Sequence, residues 1–253
     1  MSSPKPDGRA ACELRFRLGR ETVYVRAPVP AGPSRLADVL PALGALTDSV
    51  VAEAVRQAER QGRTVSCRKG CGACCRQPVP VAQAEAMALA ELVAVLPPAR
   101  QTAVRERFAD GLERLAAAGL LDAVRQLPEK PDDEERRELG LAYFRQGIPC
   151  PFLEDEACSI HPQRPLACRE YLVTSPPAAC SEPDRGGVER LELPGKVSRA
   201  LYAFGDGSGQ GPVRWMPLLL ALEWAGAHPD LARRRYSGPE LFERFVRHLA
   251  GGS

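Results

Sequence analysis

Eight of the chain's nine cysteines fall into two short stretches, residues 67–75 and 150–180, and this distribution constrains the fold more than any other feature. The first reads Cys67-Arg-Lys-Gly-Cys71-Gly-Ala-Cys74-Cys75; the second carries Cys150, Cys158, Cys168 and Cys180. A scattered thiol acts as a small buried hydrophobe, whereas thiols gathered at turn-like spacing can converge on a metal. Two cysteines separated by two residues meet at one ion when a tight turn lies between them. Gly70 and Gly72 supply the backbone freedom for such a turn. The adjacent pair Cys74 and Cys75 is unusual for a single tetrahedral site, because neighbouring side chains diverge; it suits two metals or a bridge between them. In the second stretch Phe152 and Ile160 flank the acidic run 154–156, which predicts a small hairpin with Cys150 and Cys158 on one face.

The compartment expected for these thiols follows from the N-terminal sequence MSSPKPDGRAACELRF, which has neither an apolar core nor a cleavage pattern of a secretory signal. The expectation is cytoplasmic residence, where clustered cysteines serve as metal ligands or redox groups in preference to a disulfide framework. All eight, Cys67, Cys71, Cys74, Cys75, Cys150, Cys158, Cys168 and Cys180, are candidate metal ligands. The 34 basic and 32 acidic residues are interleaved and leave a net charge of +2, so no basic stripe points to a nucleic-acid partner. The longest apolar segment, 216–222, is far too short to cross a membrane and contains Pro217. Four thiolates on one divalent ion leave a formal charge of about −2. Arg68, Lys69, Arg76, Arg164 and Arg169 sit beside the cysteines, placed to offset that charge and donate to sulfur.

The rest of the chain reads as mainly α with short β-hairpins, a helical domain organised around a cysteine-rich metal centre. Residues 1–11 are a polar tail. Leu14, Phe16, Leu18, Val23 and Val25 alternate about Gly19 and predict a hairpin, which the proline-rich segment 28–33 then ends. Ser34 is a candidate N-cap for a helical region that Pro41 and Gly44 interrupt, leaving 48–61 as the firm helix. Helical spacing follows over 81–95, 98–118 and 120–127. Pro131 and the acids after it read as the first turn of a helix reaching residue 144. Beyond the second cysteine stretch come a Gly/Pro/Asp connector at 183–187, a strand at 188–193 and further helices. Trp215, Leu218, Leu219, Leu222 and Trp224 form an apolar segment that must be buried. The last helix, 239–249, places Leu241, Phe242, Phe245, Val246 and Leu249 on one side. This divides the chain into an N-terminal hairpin and linker (1–33), a cysteine-cluster domain with a helical insert (34–182) and a C-terminal helical extension (183–253).

The residues of 67–75, then Glu85, Cys150-Pro-Phe-Leu, Cys158-Ser-Ile-His, Arg164-Pro165 and Cys168-Arg169, resemble the YkgJ-type cysteine-cluster (CxxCxxCC) family over about 66–180. That family is described as a zinc- or iron-chelating domain. The resemblance implies zinc or iron as the bound metal, with an iron–sulfur cluster among the forms eight thiolates suit. Flagellin lysine N-methylases have a similar cluster, which implies that such a scaffold can accompany an iron–sulfur-dependent modifying activity. A metal-stabilised platform for a protein partner is a third use. The spacing of Cys67, Cys71 and Cys74 also looks like the radical-SAM motif, but the repeated β/α units of those enzymes are missing from the pattern. Cys12, alone on a strand, reads as a small buried hydrophobe. His161 is a lesser candidate ligand, and His228 and His248 read as structural. Glu85 is either a residue that orients the cluster or an ordinary helix charge.

Overall fold

The structure is a computed structural model that describes residues 8–127, 132–205 and 215–251. It is 58% helix and 16% strand. Every sheet is a two-stranded antiparallel pair, which matches a mainly α reading and contains no β/α repeat.

The opening hairpin pairs β1 (Arg9–Leu18) with β2 (Glu21–Pro30) around Gly19 and Arg20. Alternation buries Val23, Val25, Ala27 and Val29 beneath it while Tyr24 and Arg26 face outward. Two expectations change here. Residues 9–11 are strand, not tail, and β2 runs through Pro28 to Pro30. An edge strand tolerates proline wherever the missing N–H faces away from its partner. Residues 1–7 lie outside the described residues.

Next, β3 (Pro33–Ser34) pairs with β8 (Tyr236–Ser237), and α1 runs unbroken from Leu36 to Arg60. Pro41 and Gly44 do not interrupt it. Pro41 deletes one intrahelical bond, but Leu36, Val39, Ala42, Leu43, Leu46 and Val50 bury a continuous stripe that outweighs the loss. Ser34 is not the cap either; its hydroxyl donates to the Gly32 carbonyl. The cap is Arg35, whose N–H donates to Asp38 Oδ2 at 2.8 Å.

After the first cysteine stretch come β4 (Pro80–Ala82), α2 (Gln83–Ala94), α3 (Pro98–Ala117), α4 (Leu121–Gln126) and α5 (Asp133–Arg145). The Asp132 side chain accepts from the Glu134 N–H and starts α5; Pro131 lies outside the described residues. The second stretch contains the predicted hairpin, β5 (Leu153–Glu154) and β6 (Ala157–Cys158), followed by α6 (Leu166–Glu170) and α7 (Pro177–Ser181). The strand expected at 188–193 shrinks to one bridge, Val173 with Arg190, because only a few residues between α6 and α7 are free to pair with it. The chain closes with α8 (Val197–Phe204), β7 (Trp215–Pro217), α9 (Ala221–Ala227) and α10 (Gly238–Gly251). The five apolar residues named on the last helix are all buried.

Two cores result. One joins the inner hairpin face to α1, α8 and α10. The other joins α2 and α3 to Phe152, Ile160 and Leu218–Leu220. The cysteines lie at the seam: Cys150 and Cys158 pack against the second core, while Leu166 at the start of α6 belongs to the first. Among the described residues no helix is long and apolar enough to cross a membrane.

Candidate metal centre

In the first stretch, the backbone turns at Gly70, whose φ of 84° lies in the left-handed region, and the Cys71 N–H donates to the Arg68 carbonyl at 3.2 Å. A 3-10 turn over Ala73–Arg76 follows, with the Cys75 N–H bonded to Gly72. The second stretch then joins it directly, because the Cys150 N–H donates to the Cys75 carbonyl at 2.7 Å.

The helical insert grips the second stretch from outside. Phe108 on α3 meets Phe152 edge-on at 5.6 Å, and Arg107 donates to the Pro151 carbonyl at 2.9 Å. At the hairpin tip Asp155 and Glu156 both take positive φ, 50° and 56°, conformations that cost side-chain-bearing residues energy. Contacts hold them there. Arg76 donates to Glu156 at 2.6 Å and 3.0 Å and to the Gly72 carbonyl at 2.9 Å. Glu156 lies against Gly72, and a Cβ there would also stand 3.0 Å from Leu153 Cδ1. Only glycine leaves that approach open.

All nine cysteines are free thiols. Cys74 acts electrostatically on six of the other seven clustered thiols. The charge of Cys74 is felt at Cys67, Cys75, Cys150, Cys158, Cys168 and Cys180, and that of Cys71 at Cys67 and Cys180. Cys12 is elsewhere, packed into the hairpin core. Burial pushes most of these thiols up: Cys150 to about 12, Cys168 well above the usual value, and Cys158, Cys67 and Cys180 upward. Cys74 moves down, to about 7, because the Cys75 thiol donates to it; Cys75 rises for the same reason. Backbone N–H groups already point at sulfur, Phe152 at Cys150, Ile160 at Cys158 and Val173 at Cys67, the last at 3.4 Å. This is the pattern that stabilises a thiolate.

The cationic neighbours differ from expectation. Arg169 serves the scaffold and does not donate to sulfur. It donates to Asp48 on α1 at 3.0 Å, to the Arg164 carbonyl at 3.3 Å and to the Pro162 carbonyl. A carboxylate and two carbonyls in fork geometry outcompete a neutral thiol for a guanidinium. Arg68 and Lys69 are exposed and form no ion pair among the described residues. Arg164 is the cation whose charge lowers Cys67, Cys74 and Cys158 alike. Its Nε is buried without an acceptor. Its terminal nitrogen donates to His161 Nε2 at 2.8 Å, which commits that lone pair.

Glu85 is no ordinary helix charge. It is buried, and one carboxylate oxygen accepts from the Ala82 N–H while the other accepts from the Leu166 N–H, both at 2.7 Å. A single side chain thus ties the start of α2, just past the first stretch, to the start of α6, which carries Cys168. Burial raises its pKa from 4.5 to about 7 against the pull of those two donors. Glu170 plays a parallel part, accepting from the Ser198 N–H at 3.0 Å and Ser198 Oγ at 2.5 Å to fix α6 against α8; nothing in the local sequence signals that pairing. His228 stacks on Trp224 at 4.3 Å and His248 sits beside Phe204, both away from the cysteines.

Among the described residues, no three His, Cys, Asp or Glu side chains stand close enough together to hold one ion as they are placed. The surroundings nevertheless fit a thiolate-bound metal. The donors are sulfur, backbone amides already point at three of them, and the charge of Arg164 favours their thiolate forms.

The scaffold is mainly helical, and the Cys150 N–H to Cys75 carbonyl hydrogen bond joins its two cysteine stretches. Residues 66–184 match the model of the CxxCxxCC family, described as "Putative zinc- or iron-chelating domain". Neither the curated proteins nor the solved structures offer a significant match.

Proposed function

We propose that this protein holds zinc or iron in one composite centre whose ligands come from both cysteine stretches. The observation that carries the reading is the 2.7 Å hydrogen bond from the Cys150 N–H to the Cys75 carbonyl, which sets the two stretches side by side; the charge of Cys74 acts on thiols of both in the same sense. Cys67, Cys71, Cys74, Cys75, Cys150, Cys158, Cys168 and Cys180 form the pool of ligands. An all-sulfur set selects zinc or an iron–sulfur cluster over hard cations such as magnesium and calcium. Arg164 offsets the thiolate charge, and Glu85 holds the Cys168 helix in register with the first stretch. When bound, the metal supplies a cross-link between the two cores and, as an iron–sulfur cluster, a redox group.

The test is anaerobic purification followed by metal and acid-labile sulfide analysis, with Cys74→Ser and Cys168→Ser beside the wild type. Shared ligation predicts that each variant alters the same spectroscopic centre. Two independent centres, one untouched in Cys168→Ser, would contradict it.

A further inference from the structure

An open groove of about 520 Å³ runs along the solvent side of the first cysteine stretch. Its walls come from four separate parts of the chain: Arg68, Cys71 and Arg76 from the first stretch and the residue after it, Phe144 from the end of α5, Glu156 from the hairpin tip and Ser181 from α7. Half-buried Cys71 lies in the wall, and its charge reaches buried Cys180 below. On the other side of the cluster Cys150 and Cys158 are packed against the second core. Cys71 is therefore the clustered thiol that lines this groove.

The charges around this opening are lopsided. Arg68 lines the groove and Lys69 adjoins it, both exposed and free of ion pairs among the described residues, whereas Glu156 is held by Arg76. Arg68 and Arg76 line the groove with Glu156, and exposed Lys69 adds a third positive charge next to it in the chain. A hydrated divalent cation is repelled from such a mouth, and an anion is drawn to it. The volume suits a small molecule and not a protein: ligand sites measure roughly 300–1,000 Å³, while a protein interface needs a far broader surface.

Resting on the metal-holding reading above, we infer that the groove is a binding site for small carboxylate chelates and that metal reaches the centre through it as an anionic complex. Arg68 and Lys69 hold the carboxylates of the chelate. Cys71 and then further thiols of the cluster each release a proton to water as their sulfurs take over the ion. Each metal–oxygen bond broken is replaced by a metal–sulfur bond, the chelator departs with its own charge, and no electron changes hands.

The experiment uses the full chain, stripped of metal under reducing, anaerobic conditions, with cobalt(II) as probe because its sulfur charge-transfer bands report thiolate binding. Loading is followed from cobalt(II)–nitrilotriacetate, an anionic complex, and from hydrated cobalt(II), for the wild type and for the double variant Arg68→Glu/Lys69→Glu. Charge reversal is expected to slow loading from the anionic complex about tenfold, to leave loading from the hydrated ion equal or faster, and to preserve the final cobalt per chain. Added salt should narrow the first difference. An unchanged rate from the anionic complex, or equal slowing from both sources, overturns the inference while leaving metal binding in place. If the wild type develops no sulfur–cobalt bands from either source, these thiols do not capture a divalent ion directly and this inference falls, while metal and sulfide analysis decides the metal-holding reading separately.

Discussion

Replacing Glu85 with glutamine isolates the cost of placing a carboxylate at the seam between the two cysteine stretches. The side chain is buried and accepts two backbone N–H groups at 2.7 Å. Those donors favour the charged form and burial opposes it. Burial wins, raising the pKa from 4.5 to about 7. The folded carboxyl therefore keeps a proton that the unfolded one has lost. Its contribution to stability is fully present below pH 4.5 and disappears as pH rises through 7. At 1.36 kcal/mol per pKa unit the contribution is roughly 3 kcal/mol. Glutamine matches the protonated acid in shape and has no such titration. In acid the variant should equal the wild type to within about 1 kcal/mol, since each offers one good acceptor to two donors. Between about pH 5 and about pH 7.5 the variant should gain on the wild type by roughly 2–3 kcal/mol, because only the wild type must ionise a buried group. The assay is urea unfolding of metal-free protein with reductant and chelator at several pH values. The difference between the two proteins is the quantity read, so that other titrating groups cancel. A difference that stays flat with pH, or a variant that loses ground as pH rises, would refute the reasoning; either would mean that the two N–H donors outweigh burial and hold the carboxyl ionised throughout.

Arg164→Met should raise the pKa of Cys67, Cys74 and Cys158, whose thiols the guanidinium lowers, and weaken metal binding about tenfold in competition with a chromophoric chelator. Arg164→Lys keeps the charge but loses the guanidinium fork, and should recover only part of that affinity. Gly72→Ala forces Glu156 and Leu153 away from the first stretch, and should destabilise the fold by about 1–3 kcal/mol in chemical unfolding. Cys12→Ser should leave metal per chain unchanged, because Cys12 packs into the hairpin core; a proportional fall in metal would place it among the ligands.

Much of the local structure is legible along the chain. The hairpin at Gly19, the small hairpin between Cys150 and Cys158, the apolar face of the last helix and the grouping of the cysteines all follow from spacings of a few residues. Backbone geometry turns such spacings into shape with little help from distant parts of the chain. Where local rules weigh against each other the reading strays, as at Pro41. There a local penalty predicts a break, and a stripe of core residues contributed by the rest of the fold keeps α1 whole.

The chemistry available, eight thiols at turn-like spacing with cations close by, is thus written along the chain. Which groups face which was decided only by the tertiary structure. The Glu85 carboxylate reaches Leu166 across 81 positions, and Arg169 reaches Asp48 across 121. A buried acceptor goes to whichever donor the packing leaves without a partner, and a guanidinium goes to the nearest set of oxygens. Both outcomes depend on how two hydrophobic cores meet. No interval of residues encodes that meeting, because it comes from burying α1, α2 and α3 together against segments far away along the chain.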